Sequence, residues 1–166
     1  CGGGGSSFSG TTANRVKLVH GSWNSIGGVT AVTTSGQDAV FPSVASFNGK
    51  TTVTYYTRDY AIGSIAPVCN VMTNPAPSGI DPVSSPRSVC MDYAAKWNSD
   101  SFGAQNRLST ESSNPFIQFA NGSFIGDYSQ VALGTNGIAH AAWTDFRGKP
   151  GVTPANQDVM IQSFAP

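Results

Sequence analysis

Charged side chains are scarce in this sequence. They make up 11% of the 166 residues, and acidic and basic groups balance to a formal net charge of zero. A nucleic-acid-binding domain needs a basic face against phosphate, so this composition argues against DNA or RNA as a partner. No apolar run approaches the roughly 18 residues that a membrane-spanning helix requires.

Good helix formers are also rare. The chain has a single glutamate, Glu111, and four lysines, while it contains 19 glycines and 10 prolines. No segment keeps an apolar period of about 3.6 residues over three turns. The composition therefore predicts an all-β chain of short strands and many turns, and its length suits one domain with a real core.

Two Asn-Gly dipeptides organise the predicted strands. Asn48-Gly49 and Asn136-Gly137 each separate two β-type runs, and this dipeptide favours a tight hairpin because it tolerates positive φ. Gly21–Gly28 is predicted as a loop. The predicted strands cover 14–20, 29–34, 41–47, 51–58, 89–97, 106–109, a run before Asn136, 138–144 and 158–164.

The two hairpins belong to an internal repeat. Residues 44–59 match 131–147, and this match makes Trp143 the repeat equivalent of Tyr56. Asn14-Arg15-Val16 is echoed by Asn106-Arg107-Leu108, each one loop before its hairpin. The repeated unit is an outer strand, a loop and three strands, which is typical of β-propeller blades. We expect one unit at about 14–105 and a second at about 106–166.

The second half of the chain resembles a known family. The strings FGAQNRLST, FIGDYSQVALGTNGIAHAAWTDFRG and QDVMI are similar to the C-terminal blades of bacterial sialidase-like proteins with BNR (Asp-box) repeats. Ser99–Gly103 lies where an Asp-box turn would fall, but it lacks the full Asp-x-Gly-x-x-aromatic spacing. The resemblance covers about residues 41–164 and implies a fold family rather than an activity.

The resemblance implies antiparallel, propeller-like blades, of which this chain carries about two. Propellers of the family have about six blades, so two alone would leave open sheet faces and edges. The open faces could be covered in three ways: the chain is a fragment of a longer propeller, it associates with itself into a ring, or it docks onto a protein partner. In a ring, the strand at 14–20 could complete the last blade of a neighbour.

Sialidases of the family hold a substrate carboxylate with arginines, and they use a tyrosine nucleophile and an aspartic acid/base. Only Arg58 and Arg147 lie at matching strand ends of the repeat, and Glu111 has no adjacent tyrosine. The catalytic set is therefore incomplete, and hydrolysis would require residues from another chain. If the chain contributes to a hydrolase, the resemblance points to Arg58, Arg147, Asp59, Asp145 and Tyr56.

The same strand-end residues have a structural interpretation, which we favour. Asp59, Asp127 and Asp145 could cap turns or pair with arginines between blades. Tyr128 and Trp23 could instead stack on a sugar ring, which makes a glycan a candidate ligand. The candidate binding residues are Arg58, Asp127, Tyr128, Asp145, Arg147 and Trp23. No cofactor is expected, although the Asp- and Asn-containing loops leave calcium as a candidate ion.

The three cysteines suggest export. Cys1 and the Gly/Ser tether at 1–13 resemble the mature start of a bacterial lipoprotein, which implies lipid on Cys1 and an outer-membrane or cell-surface location. A cloned linker with a labelling cysteine is the alternative. Cys69 and Cys90 flank a Pro/Ser-rich loop, and a disulfide there would stabilise by roughly 3 kcal/mol; two unrelated buried thiols are the other interpretation.

Three functions remain open from the sequence. The first is a non-catalytic, surface-anchored propeller module that acts as a binding or assembly component. The second is part of a sialidase-like glycoside hydrolase. The third is an oligomeric lectin that binds sugars between blades. The incomplete catalytic set favours the first.

Overall fold

The computed structural model describes residues 14–22, 24–35, 37–60, 90–113, 128–145 and 157–166. These ranges form nine strands and one 3-10 helix, Asn98–Asp100. The described part of the chain holds no helix with the length and hydropathy to cross a membrane. The strands are β1 (Lys17–Ser22), β2 (Ser25–Ala31), β3 (Ala39–Phe47), β4 (Lys50–Thr57), β5 (Asp92–Trp97), β6 (Asn106–Arg107), β7 (Gln130–Leu133), β8 (Ala139–Asp145) and β9 (Asp158–Phe164).

The predicted all-β, antiparallel class is confirmed. The described strands form sheets of two, four and three strands, ordered β1-β2, β3-β4-β5-β6 and β7-β8-β9. Each sheet is a meander, in which every strand pairs with the next one along the chain. The four-stranded and three-stranded sheets have the strand order expected of blades.

Both predicted Asn-Gly hairpins form, but their turns differ by one residue. Asn48 and Gly49 both take positive φ in a two-residue loop between Phe47 and Lys50. In the second hairpin, Gly134 N donates to Ile138 O at 2.8 Å, so the loop holds three residues, of which Gly137 has φ 79°. A three-residue hairpin loop commonly ends in a left-handed glycine.

The extra residue changes how the repeat aligns. Val44 pairs with Val53, and Val131 pairs with Ala141. If Val44 is aligned with Val131, their partners Val53 and Ala141 are equivalent. Two residues further along β4 and β8, Tyr55 is then equivalent to Trp143. The predicted equivalence of Trp143 with Tyr56 is therefore wrong, because the longer second turn shifts β8 by one residue.

The predicted loop at Gly21–Gly28 is wrong as well. β1 continues to Ser22 and β2 begins at Ser25, with Gly21 opposite Ile26. A side chain at Gly21 would lie 2.2 Å from Ser25 O, and one at Gly27 would lie 2.5 Å from His20 O. These glycines therefore allow two backbones to approach closely, rather than marking a loop.

Two apolar cores separate three layers. The first core, between the β1–β2 region and one face of the four-stranded sheet, contains Val16, Val32, Val53 and Tyr55. The second core lies between the opposite face of that sheet and the three-stranded sheet. It is built from Tyr56, Met91, Tyr93, Ala95, Leu108, Val131, Ala139, Ala141 and Trp143. The echoed Val16 and Leu108 thus occupy comparable places, one in each core.

Candidate functional site

The candidate site lies at one end of the two larger sheets, which we call the upper edge. It is the end where β3, β5, β7 and β9 begin and where β4 and β8 finish. The described charged residues there include Asp38, Arg58, Asp59, Asp92, Arg107, Asp145 and Asp158. Pairing of Ala39 with Thr57, Thr57 with Asp92, and Asp145 with Asp158 brings these strand ends together.

Arg58 is buried at this edge and forms a structural ion pair. Its Nε lies 3.6 Å from Asp38 Oδ2, and its backbone N–H donates to Asp38 O. Asp38 Oδ1 accepts hydrogen bonds from the backbone and side-chain nitrogens of Asn14, so the pair ties the chain entering β1 to the end of β4. Burial lowers the pKa of the Arg58 guanidinium, and the Asp38 carboxylate opposes that effect.

Tyr56 joins the two larger sheets. Its hydroxyl donates to Thr144 O at 2.9 Å and accepts from Thr144 N–H at 3.0 Å. Its ring meets Tyr93 edge-on at 4.9 Å, and Tyr93 stacks on Trp143 at 4.9 Å with an interplanar angle of 13°. Burial, followed by the neighbouring Tyr93, raises the pKa of Tyr56 far above 10.0, so its hydroxyl stays protonated.

The two predicted aspartates in the described part of the chain, Asp59 and Asp145, have different environments. Asp59 is partly exposed and holds a local turn, because its Oδ2 accepts from Thr57 Oγ1, which in turn accepts from Asp59 N–H. Asp145 is buried at the end of β8 beside the three-stranded sheet's last strand. Asp145 stands opposite Asp158 in the β8–β9 register, but at 2% exposure it is withdrawn from solvent.

A third acidic residue, Asp92, was missed by the sequence analysis. It is 1% exposed, yet its carboxylate accepts from Arg107 Nε, Ser109 Oγ and Ser112 Oγ, each at 2.8 Å. Arg107 Nη2 lies 2.6 Å from the same carboxylate and donates to Ser112 Oγ at 3.1 Å. The network is rich in donors, so it can hold a charge away from water. The only hint in the sequence was the echo at Asn106-Arg107-Leu108.

Arg107 also reaches the outer side of the edge. Its guanidinium lies over the Tyr60 ring, 5.4 Å from the centroid, a cation–π geometry. Tyr60 and Tyr55 both bind Gln105, through its backbone carbonyl and its side-chain oxygen respectively. Burial, opposed by the Gln105 hydrogen bond, raises the pKa of Tyr60 to about 12. These groups fasten the loop before β6 to the end of β4.

The exposed part of the upper edge is aromatic. Tyr128 is 86% exposed, and Phe41 is half exposed. Phe41 has φ 50° within an irregularity of the β3–β4 register between Val40 and Ser43. Ser129 Oγ donates to Phe41 O at 3.2 Å, which holds the segment carrying Tyr128 beside Phe41. A non-glycine residue in the left-handed region costs free energy, so the surrounding contacts must hold Phe41 in this conformation.

The degenerate Asp-box segment forms a turn at the opposite end of β5. The 3-10 helix Asn98–Asp100 is followed by Ser101 and Phe102, both with φ 58°. Asp100 Oδ2 accepts from Ala104 N–H at 3.1 Å, while Asn98 holds the Asn48-Gly49 hairpin through Gly49 O and Thr51 N–H. The turn is thus structural.

Several predicted residues fall outside the described ranges: Cys1, Trp23, Cys69, Asp127 and Arg147. Lipidation of Cys1 and the roles of Trp23, Asp127 and Arg147 stay predictions. Cys90 is fully buried, and because Cys69 is not described, the Cys69–Cys90 disulfide also stays a prediction.

The described ranges offer no cluster of three or more His, Cys, Asp or Glu side chains that could hold a metal ion. A calcium site in the remaining loops stays a prediction. Comparisons with known proteins leave the family open as well: no family model matches the chain, and no curated protein or solved structure matches it. The residues themselves therefore carry the functional argument.

Proposed function

We propose that this chain is a non-catalytic, sialidase-like propeller module that serves as a binding or assembly component. The single observation that carries the proposal is the position of Tyr56, the candidate nucleophile. Its hydroxyl is engaged by both backbone groups of Thr144, and its ring is buried between two sheets. A side chain used in this way holds the fold together and is withheld from a substrate.

The packing of the sheets supports the propeller-like part of the proposal. Two consecutive meanders lie face to face, and their first strands, β3 and β7, are neighbours: Val131 N–H donates to Ser43 Oγ at 3.1 Å. Blades of a propeller stack in this manner, with their first strands closest to the axis.

The electrostatics support the non-catalytic part. A tyrosine nucleophile must lose its proton, whereas burial raises the pKa of Tyr56 and so opposes ionisation. An arginine that binds a substrate carboxylate needs an accessible guanidinium, whereas Arg58 is buried against Asp38. Both residues therefore serve packing better than they serve sugar hydrolysis.

A fluorogenic sialoside tests this proposal. The purified chain should release no fluorophore above the rate of a heat-denatured sample, and an added active sialidase should confirm that the substrate is competent. Turnover by the purified chain that disappears in Tyr56→Phe, while the variant stays folded, would show that the chain belongs to a glycoside hydrolase.

The exposed pair Phe41 and Tyr128 supports a second candidate, a lectin. Aromatic rings held at an accessible edge can stack on the apolar face of a sugar, and the positive φ of Phe41 fixes one of them. On a glycan array, the chain should bind a defined set of sugars, and Tyr128→Ala should lose the signal whereas Val44→Ala, another exposed position, should keep it. Silence of the wild-type chain on the array would count against a lectin.

A further inference from the structure

The three-stranded sheet presents to solvent a face whose counterpart in the four-stranded sheet is buried. The strand registers define this correspondence. In the four-stranded sheet, Tyr56 pairs with Tyr93 and Thr54 pairs with Ala95. In the three-stranded sheet, the corresponding cross-strand pairs are Thr144 with Val159, and Ala142 with Ile161. We call these the trailing faces of the two sheets.

The trailing face of the four-stranded sheet is covered. Tyr56, Tyr93 and Ala95 are buried against Ala141 and Trp143 of the three-stranded sheet. The trailing face of the three-stranded sheet has no such cover among the described residues: Val159 is 72% exposed and Ile161 is 71% exposed. Side chains of β-branched residues on a sheet face are typical of a packed surface.

A second exposed apolar element lies at the other end of the layers. The hairpin β1–β2, which we call the arm, packs on the first core at its base, through Leu18 and the neighbouring Val16 and Val32. Beyond the base, Val19 and Val29 form an exposed cross-strand pair, and Ile26 is 82% exposed. A two-stranded hairpin is at best marginally stable in water alone, so the arm needs a surface to pack on.

We infer that the arm of one copy of this chain lies on the trailing face of the three-stranded sheet of a second copy. The same chain carries both surfaces, and they lie at opposite ends of its layers, so head-to-tail contact covers both at once. Both carry exposed apolar side chains. The polar groups on the trailing face are Gln130, Thr144, His140 and Ser163, of which the last two bond to each other at 2.7 Å, and the arm carries Lys17 on the side of Val19 and Val29. The contact is heterologous and leads to a ring or a filament. This inference rests on the proposed assembly role.

Light scattering with photo-crosslinking tests the contact on the intact chain. A benzophenone amino acid is placed at position 26, and light and heavy isotope-labelled chains are mixed before illumination. The inference predicts a particle of more than one copy, and mixed-isotope cross-links from position 26 to the peptide spanning 158–164. A single-copy particle, or cross-links between copies that arrive elsewhere, would overturn it.

Paired variants sharpen the test. Val159→Asp with Ile161→Asp, or Ile26→Asp with Val29→Asp, should each weaken association about a hundredfold, because a charge would be buried without a partner. The exposed Val44→Asp is the matched control and should leave the particle mass unchanged. Mixing the two double variants should restore a two-copy particle, since one intact arm meets one intact face; no restoration would contradict head-to-tail contact.

The inference and the proposed function fail separately. A single-copy particle with no sialoside turnover would remove the contact between copies and leave the non-catalytic module standing. Sialoside turnover by an assembled particle would remove the non-catalytic assignment and leave the contact standing.

Discussion

The two larger sheets are built alike but are buried differently. In β4, every residue from Thr52 to Thr57 is buried, because the four-stranded sheet is covered on both faces. In β8, buried residues alternate with exposed or half-buried ones, because only one face of the three-stranded sheet meets the rest of the described chain. The two sheets therefore stack in the same orientation. The equivalent face is covered by a neighbouring sheet in the four-stranded sheet and is open in the three-stranded sheet.

The polar residues of the upper edge act either within the region of the four-stranded sheet or between the two larger sheets. Around the four-stranded sheet, Asp38 and Arg58 fasten the chain that enters β1, and Asp92 and Arg107 fasten β5 to β6. Between the sheets, Tyr56 binds Thr144. These charged residues at the strand ends therefore hold layers and strands in place. Of the strand-end residues singled out in the sequence, Arg58 forms such a pair, and its partner Asp38 was not predicted.

The largest expected effect comes from removing the aromatic stack between the sheets. Trp143→Ala deletes the ring that stacks on Tyr93 and should cost about 3–5 kcal/mol in the free energy of unfolding, because buried apolar contacts are lost and the surrounding side chains only partly fill the cavity. Denaturant unfolding measures the loss.

The matched control for that variant is Val159→Ala, on the open face of the same sheet. Its effect should stay within about 0.5 kcal/mol when association is suppressed by dilution, because its side chain is exposed. Equal losses for Trp143→Ala and Val159→Ala would break the distinction between a covered and an open face.

The next largest effect is expected from removal of the Tyr56 hydroxyl, which links the two larger sheets. Tyr56→Phe keeps the ring but leaves Thr144 N–H and C=O without this partner, which should cost about 1–3 kcal/mol in unfolding free energy. Tyr55→Phe is the control, since its hydroxyl binds Gln105 on the opposite face of the same sheet. Only Tyr56→Phe should lower the protection of the three-stranded sheet; loss of protection in both variants would show general destabilisation instead.

The smallest expected effect is that of a single tyrosine variant at alkaline pH. Burial raises the pKa of Tyr60 from 10.0 to about 12, and it also raises the pKa values of Tyr55, Tyr56 and Tyr93. Because the unfolded chain ionises first, this contribution to stability is fully present below pH 10 and is lost as pH rises toward the folded-state values. Unfolding free energy should therefore fall between about pH 10 and 12.

Tyr60→Phe should reduce that alkaline loss by about 1 kcal/mol or less, after allowance for solvent screening of a partly exposed group. Unfolding curves of the wild-type chain and of this variant on either side of pH 10 provide the measurement. A wild-type stability that does not change with pH above 10 would contradict the burial of the tyrosines.

Much of the fold could be predicted from local chemistry. The two Asn-Gly turns and the runs beside them located β3, β4, β7 and β8, because hairpin turns are set by a few residues with positive φ. The base of the arm lies within the strands predicted at 14–20 and 29–34, but its outer part was predicted as a loop because Gly21, Gly27 and Gly28 are usually loop residues. Gly21 and Gly27 here permit close backbone approach instead.

The site was harder to predict, because its contacts join residues that are distant in the chain. Tyr56 and Thr144 are 88 positions apart, and a turn longer by one residue moved Trp143 to the counterpart of Tyr55. The Asp92–Arg107 network depends on the pairing of β5 with β6, a strand of two residues that has little pattern of its own. The charged residues at the strand ends could be recognised in the sequence. Their partners could be identified only once the register of the paired strands was known.

The amide hydrogen of Thr144 offers the most direct measurement of the central claim, that upper-edge residues bind the sheets together instead of reacting with a substrate. Hydrogen exchange read by NMR should find this amide protected in the wild-type chain and fast-exchanging in Tyr56→Phe, with the amides of β4 unchanged. Equal exchange of the Thr144 amide in both proteins would contradict the claim, because the Tyr56 hydroxyl would then be free for another role.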